Sequence, residues 1–246
     1  MSSLQYHSRS AIKMNGSAFR LCPRFQQSSG NSVIGVIDKN DLAAVAIHFE
    51  KPHPVASKIT RRAINKRQPD LTVLLENVFD PHNISAVMRT CDAVGIQDIY
   101  ILNSKIPPHK KWGAKSSSSA AKWLTVHQFT DAAECFAELR KHYKKIYTTH
   151  LSSDAVGLHA LNLTEPVCLV FGNEHSGVSE EIIAMADGNF IIPQVGIIKS
   201  LNISVACAVS LYEAFRQKNN AGHYDHVKLE GEKLSSLRNE WGFLEE

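Results

Sequence analysis

Thr72-Val73-Leu74-Leu75, then Asp80-Pro81, then Asn83-Ile84-Ser85-Ala86-Val87-Met88-Arg89 decide how this chain folds. The first four residues are a short apolar run that opens on β-formers. Beyond the Asp-Pro turn, Ile84, Val87, Met88, Cys91 and Val94 recur at spacings of three and four, which predicts an amphipathic helix closing at Gly95. A second apolar run, Ile99 to Leu102, follows. Strand, helix and strand at this spacing predict a parallel pair joined by a crossover helix.

The alternation continues outward. A helix is expected around Thr130 to His142 and strands at Lys145 to Thr149 and Val167 to Phe171. Ser179 is placed to cap a helix whose first turn holds Glu180 and Glu181, which complement its dipole. A short strand at Phe190 to Pro193 precedes a long helix from Leu201 to Lys218, with Val205, Ala208, Val209, Tyr212 and Phe215 as its apolar face. The fold class expected is α/β, a mostly parallel sheet covered by helices on both sides.

Composition narrows the function. With 43% apolar and 21% charged residues, the 246-residue chain reads as an ordinary folded protein, and its net charge of +3 says little about partners. Five widely spaced cysteines without a CxxC pair argue against structural zinc, so no metal is expected and a reducing compartment is the default. No apolar run reaches the roughly 20 residues of a membrane helix. Through Ile37 the chain has no acidic residue, while Arg9, Lys13, Arg20 and Arg24 lie among serines. Residues 1–50 are therefore expected to be a disordered extension or an organellar targeting segment. Five cations crowd Lys58 to Arg67, and a basic helix is expected there with Ile59, Ala63 and Ile64 inward and Lys58, Arg61, Arg62 and Lys66 outward. Such a face is either simply solvated or a phosphate-binding surface. A long polar loop follows Leu102, with Pro107, Pro108, Lys110, Lys111, Trp112, Lys115 and four serines.

Polar residues gather where the apolar runs end, and ligands collect at the carboxyl ends of strands in open α/β sheets. Asn83 is a preferred N-cap type, and Arg89, six residues on, lies over one turn away and roughly opposite. If both serve one site, Asn83 must act from the start of the helix. Gly172-Asn173-Glu174-His175-Ser176-Gly177 reads as a strand-to-helix turn, and lacks the patterns of a P-loop or a dinucleotide fingerprint. Its carboxylate, Glu174, could bind ribose hydroxyls or orient a cation. Ser200 or Asn202 could cap the last helix, and the nearly apolar Val195-Gly196-Ile197-Ile198 suits main-chain hydrogen bonding to an adenine edge as well as plain packing.

Taken in order, Asn83 to Arg89, Phe171-Gly172-Asn173-Glu174 and Ile192-Pro193-Gln194-Val195-Gly196 with Ser200-Leu201-Asn202-Ile203-Ser204 resemble the three motifs of the SpoU family of RNA ribose 2′-O-methyltransferases. The segments Gln68 to Val78 and Pro81-His82-Asn83 resemble the branch acting on the D-loop guanosine of tRNA, and the similarity covers about Lys58 to Tyr224. The resemblance implies a methyltransferase domain over residues 51–224, a deep C-terminal trefoil knot, a homodimer with the knot at its interface, and methyl transfer from S-adenosylmethionine to a tRNA ribose. It implies an activating role for Arg89, supported by Asn83, Glu174, Ser200 and Asn202. Cofactor contacts are implied for Thr149, Gly172, Ile192 and Leu201, and tRNA contacts for Arg67 and Arg216. Arg61, Arg62 and Lys218 complete the expected RNA-binding cations. The family often has lysine where this chain has His175, and a second arginine where it has Lys218. Residues 225–246 are expected to be a tail, and the location cytoplasmic, or organellar if residues 1–50 direct transport. The alternatives are a sister enzyme acting on ribosomal RNA or a tRNA wobble nucleotide, and a knotted RNA-binding module without catalysis.

Overall fold

The computed structural model describes residues 54–108, 120–198 and 200–243. The expected extension at residues 1–50, most of the polar part of the long loop, and Lys199 lie outside the described residues.

Helix α1 (Pro54–Asn65) leads into β1 (Leu71–Glu76), α2 (Pro81–Ala93) and β2 (Asp98–Leu102). Then come β3 (Thr125–Phe129), α3 (Ala132–His142), β4 (Lys145–Thr149), β5 (Val156–Gly157), β6 (Val167–Phe171), α4 (Glu180–Met185), β7 (Gly188–Ile191), α5 (Ile203–Asn220) and α6 (Gly231–Glu240). All pairings in the seven-stranded sheet are parallel, in the order β3-β2-β1-β6-β4-β7-β5. Strands β1 and β6 are neighbours at its centre with both faces covered, which is why Leu-Thr-Val-Leu-Leu-Glu and Val-Cys-Leu-Val-Phe are buried throughout.

Alternation along each strand sorts the core into two layers. Leu71, Val73 and Leu75 meet Ile84, Val87, Met88 and Cys91 of α2 and Cys207, Leu211 and Ala214 of α5. On the other face Leu74, Cys168 and Val170 meet Cys135, Phe136 and Leu139 of α3 and Ile182 of α4. Among the described residues no helix is long and apolar enough to cross a membrane.

Three expectations need correction, and two strands fall outside the expected pattern. Strands β3 and β5 were not legible: Thr125-Val126-His127-Gln128-Phe129 is a partly exposed edge strand, and β5 has only two residues. On α1, Ile64 is buried but Ile59 is 65% exposed. Five residues turn a helix through 500°, so these two cannot share a narrow face. The stripe of α5 that enters the core is Ile203, Cys207, Leu211 and Ala214, while Val205, Val209 and Tyr212 stay exposed. Beyond Tyr224 the chain folds into α6, and Leu229 and Leu237 bury against Ile64, so this segment packs on the domain. Lys233 fastens α6 to Asp98 at 2.5 Å, and His127 holds the same carboxylate at 3.0 Å. Burial pushes the Asp98 carboxyl up, but those two partners outweigh it and hold it below the usual carboxylate value.

Candidate active site at the carboxyl ends of the strands

The parallel strands deliver three loops to one edge. The turn leaving β1 is made by Asn77, whose φ of 49° lies in the left-handed region. It sends Phe79 and Asp80 toward the loop that leaves β6. Asp80, not Asn83, caps α2, its carboxylate accepting from the His82 amide at 2.8 Å. That frees Asn83 to reach outward from the first turn. Its Nδ2 donates to Oε1 of Glu174 at 2.8 Å, and its Oδ1 accepts from Nδ2 of Asn202 at 3.2 Å. Asn202 caps α5, accepting from the Ser204 amide at 2.9 Å.

Glu174 is the hub. Besides Asn83 it accepts the amides of Phe79 at 3.0 Å and Asp80 at 3.2 Å. Burial pushes its carboxyl up, but the Phe79 amide, Asn83 and the Asp80 amide outweigh this and hold it below the ordinary glutamate value. One residue from each of the three sequence motifs is thus joined by direct hydrogen bonds, although Asn83, Glu174 and Asn202 lie far apart in sequence.

Beside this trio opens a cavity of about 930 Å³, within the size range of small-molecule sites. Thr149, Gly172, Ile192 and Leu201, the four expected cofactor contacts, all line it, as do Glu174, Ser200 and Asn202. Gly172 has no room for a side chain: a Cβ there would sit 2.1 Å from the Gly177 carbonyl carbon. The loop closes on itself through paired Asn173 and Gly177 main chains at 2.9 Å, and Gly177 takes a φ of 68° that favours glycine. Among the described residues, no main-chain group from Gln194 to Ile198 pairs with another part of the chain. These groups suit the edge of a base, and apolar Phe171, Phe190 and Ile192 suit its faces. The cavity therefore fits a nucleoside-bearing cofactor. Sequence reading missed His150, Leu151 and Ala206 as lining residues, since nothing in their spacing separates them from ordinary loop and helix positions.

Arg89 stands apart. It is exposed on α2 and lines a second, open cleft of about 470 Å³ with His82, Ala86, Thr90, Ala93 and Tyr212. Among the described residues it makes no hydrogen bond or ion pair. Of the expected RNA-binding cations, Arg61 and Arg62 are exposed on α1, with the Arg61 guanidinium 5.5 Å over the Phe243 ring. Arg216 is exposed on α5 and paired to Glu213 at 2.7 Å. Arg67 and Lys218 are different. Arg67 is 1% exposed, bonding Asp92 at 2.6 Å, the Ile96 carbonyl at 2.9 Å and the Trp123 carbonyl at 3.3 Å, and stacking 5.0 Å over Trp241. Lys218 is fully buried, donating to Asp70 at 3.0 Å and the Thr164 carbonyl at 3.1 Å. Both charges are paired with carboxylates inside the fold.

An all-parallel open sheet with a nucleoside-sized cavity and a carboxamide–carboxylate cluster at its carboxyl edge defines an α/β protein with a ligand site at the strand ends. Residues 70–212 match the model of the SpoU rRNA methylase family, and the chain belongs to that family. It is 42% identical over 180 residues to the tRNA (guanosine(18)-2′-O)-methyltransferase of Thermus thermophilus, covering 72% of this chain and 91% of that one. The crystal structure of the Aquifex aeolicus TrmH/SpoU tRNA-modifying enzyme superposes with a TM-score of 0.70 at 35% identity, covering 76% and 94% of the two chains. An S-adenosylmethionine-bound rRNA methyltransferase from Sinorhizobium meliloti superposes with a TM-score of 0.55 at 26% identity, over 63% and 59%.

Proposed function

We propose that the protein transfers a methyl group from S-adenosylmethionine to the ribose 2′-hydroxyl of the D-loop guanosine, guanosine 18, of tRNA. The observation that carries this reading is the hydrogen-bonded trio Asn83, Glu174 and Asn202 at the mouth of a cavity lined by Thr149, Gly172, Ile192 and Leu201. The T. thermophilus tRNA methyltransferase, similar over most of both chains, supports the substrate. The S-adenosylmethionine-bound relative supports the cofactor.

The bound cofactor supplies an electrophilic methyl on a sulfonium, so no metal or redox partner is needed. The protein's task is to hold the hydroxyl in line and manage its proton. Transfer of that methyl to the ribose oxygen would release the hydroxyl proton, and the site must give it somewhere to go. Arginine is a poor base, so Arg89 orients the hydroxyl and stabilises charge developing on its oxygen, and a nearby RNA phosphate takes the proton. Glu174 aligns Asn83 and the Phe79–Asp80 turn, and Ser200 and Asn202 shape the start of α5.

We also propose a homodimer formed on the α2–α5 face and a trefoil knot around the segments 171–177 and 190–203. Exposed Val205, Val209 and Tyr212 beside the Arg89 cleft support the first. Arg89 does not line the cavity of its own chain, and pairing across this face would bring it to a second one. The match to the SpoU family model supports the knot. Arg61, Arg62 and Arg216 are the proposed phosphate contacts. Four buried free cysteines, Cys91, Cys135, Cys168 and Cys207, support a cytoplasmic location, with an organelle as the alternative if residues 1–50 direct transport.

The test is incorporation of labelled methyl into an unmodified tRNA transcript and into one carrying 2′-deoxyguanosine at the D-loop position. The reading predicts incorporation only into the first; equal incorporation into both overturns the target.

A further inference from the structure

Where β1 ends, the backbone does something unusual for a residue with a side chain. Asn77 holds φ at 49°, a conformation that costs most side chains energy and that asparagine tolerates better than most. It is buried, as is Glu76 before it. Its own amide still extends the sheet, donating to the Leu102 carbonyl at 2.8 Å. The left-handed turn then points the Asn77 carbonyl across to β6, where Nδ2 of Asn173 donates to it at 2.7 Å.

Asn173 is thereby fixed at both ends of its carboxamide. Its Oδ1 accepts the amides of His175 at 2.9 Å and Ser176 at 3.2 Å, the two residues that follow Glu174. The same turn at Asn77 also aims the Phe79 and Asp80 amides at the Glu174 carboxylate. The Asn77 side chain ties in the third edge, its Oδ1 accepting the Lys105 amide at 2.8 Å and its Nδ2 donating to Ser104 at 3.2 Å. Glu76 completes the brace by accepting the Ser179 amide, at the start of α4, at 2.9 Å. Resting on the function proposed above, we infer that Asn77 and Asn173 form a clamp of positioning residues that sets where the Glu174 carboxylate stands, and through it Asn83 and Asn202. The clamp acts on methyl transfer through Glu174, and because Asn173 and Glu174 also line the cavity, any effect on cofactor affinity should be the smaller one.

Two readouts test this on the full-length protein. The first follows the Glu174 carboxyl by carbon-detected NMR titration in wild type, Asn173→Ala and Asn77→Gly. Glycine keeps the turn and the carbonyl that Asn173 uses but removes the bridge to residues 104 and 105, so it separates the clamp from simple backbone strain. In Asn173→Ala, Glu174 should titrate closer to the ordinary glutamate value as its amide and carboxamide donors drift away; Asn77→Gly should fall between the two. The second readout is steady-state kinetics on tRNA. A displacement of order 1 Å at a catalytic group can cost about 100-fold, so kcat for Asn173→Ala should fall by roughly that factor, well beyond any loss of cofactor affinity from this lining residue. In a double-mutant cycle, Asn77→Gly with Asn173→Ala should cost less than the two single losses combined.

An unchanged Glu174 titration in Asn173→Ala overturns the clamp, whatever the activity. A shifted titration in a protein whose wild type methylates no tRNA leaves the clamp standing and overturns the functional reading instead. A loss confined to cofactor affinity, with kcat intact, also refutes the positioning role.

Discussion

Replacing Arg67 with methionine separates a structural arginine from an RNA-binding one. The methionine keeps much of the stem's bulk and removes the charge and every donor. Of the three main-chain carbonyls that Arg67 bonds, that of Asp92 keeps the Gly95 amide and the other two lose their partner. That of Ile96, bonded at 2.9 Å, is buried, and that of Trp123 is held at 3.3 Å. An orphaned buried acceptor costs about 1–3 kcal/mol, and the longer bond belongs at the low end. The ion pair to Asp92 is worth less than its 2.6 Å suggests, because that carboxylate is 39% exposed and keeps water as an alternative; about 1 kcal/mol is reasonable. Loss of stacking on Trp241, at 5.0 Å, adds of order 0.5–1 kcal/mol. The total is about 3.5–6 kcal/mol, which for a folded domain of this size lowers Tm by on the order of 10–20 °C. Urea denaturation measures the first quantity and calorimetry the second. In parallel, tRNA affinity across a salt series should keep its slope below the temperature at which the variant unfolds, whereas losing one phosphate contact would flatten it by about 1. An Arg67→Met variant as stable as wild type but with weakened, flatter salt-dependent tRNA binding would refute the structural placement.

Three further outcomes follow from the same geometry. Arg89→Ala should leave Tm within about 1 °C, as expected for an exposed residue without a described partner, and leave cofactor affinity unchanged by calorimetry, while methyl transfer collapses; near-normal turnover would remove Arg89 from the reaction. Gly172→Ala should abolish measurable cofactor binding, because its Cβ would have to displace the Gly177 main chain that lies 2.1 Å away; retained affinity would mean the loop is not part of the cofactor site. Lys233→Met should make the protein more acid-labile. The Asp98 carboxyl sits below its unfolded value, so its contribution is fully present above the unfolded pKa of about 3.9 and fades as pH falls through the lower folded one. Without Lys233 the folded value rises, less stability is gained above it, and the acid-unfolding midpoint should move to higher pH. An unmoved midpoint would show that α6 is held by its apolar contacts alone.

Much of the architecture was legible because periodicity and burial agree over its central elements. The run Thr72 to Leu75 and the Ile84–Val87–Met88–Cys91 stripe sit where a parallel βαβ unit requires them. Local pattern failed at the margins. The edge strand β3 has no buried face to impose alternation, and α6 offers only Leu234 and Leu237 as a helical signature. In α5 two apolar stripes compete, and the choice between Cys207–Leu211 and Val205–Val209 depends on the sheet beneath rather than on the helix itself. The site shows the same division. Glu174, Asn83 and Asn202 could be named from motif order, yet that Glu174 also accepts the amides of Phe79 and Asp80 is a property of the Asn77 turn, which no spacing rule announces. Charge was the poorest guide. Arg67 and Lys218 look like surface cations in sequence, and only long-range contacts with Asp92 and Asp70 show where their charge goes.

The most direct test of the whole account is to map the methylated nucleotide after incubating purified protein with S-adenosylmethionine and an unmodified tRNA transcript, by nuclease digestion and mass spectrometry. The account predicts a single 2′-O-methylguanosine at the D-loop position. Methylation on a base, or at a ribose elsewhere in the tRNA, would contradict it.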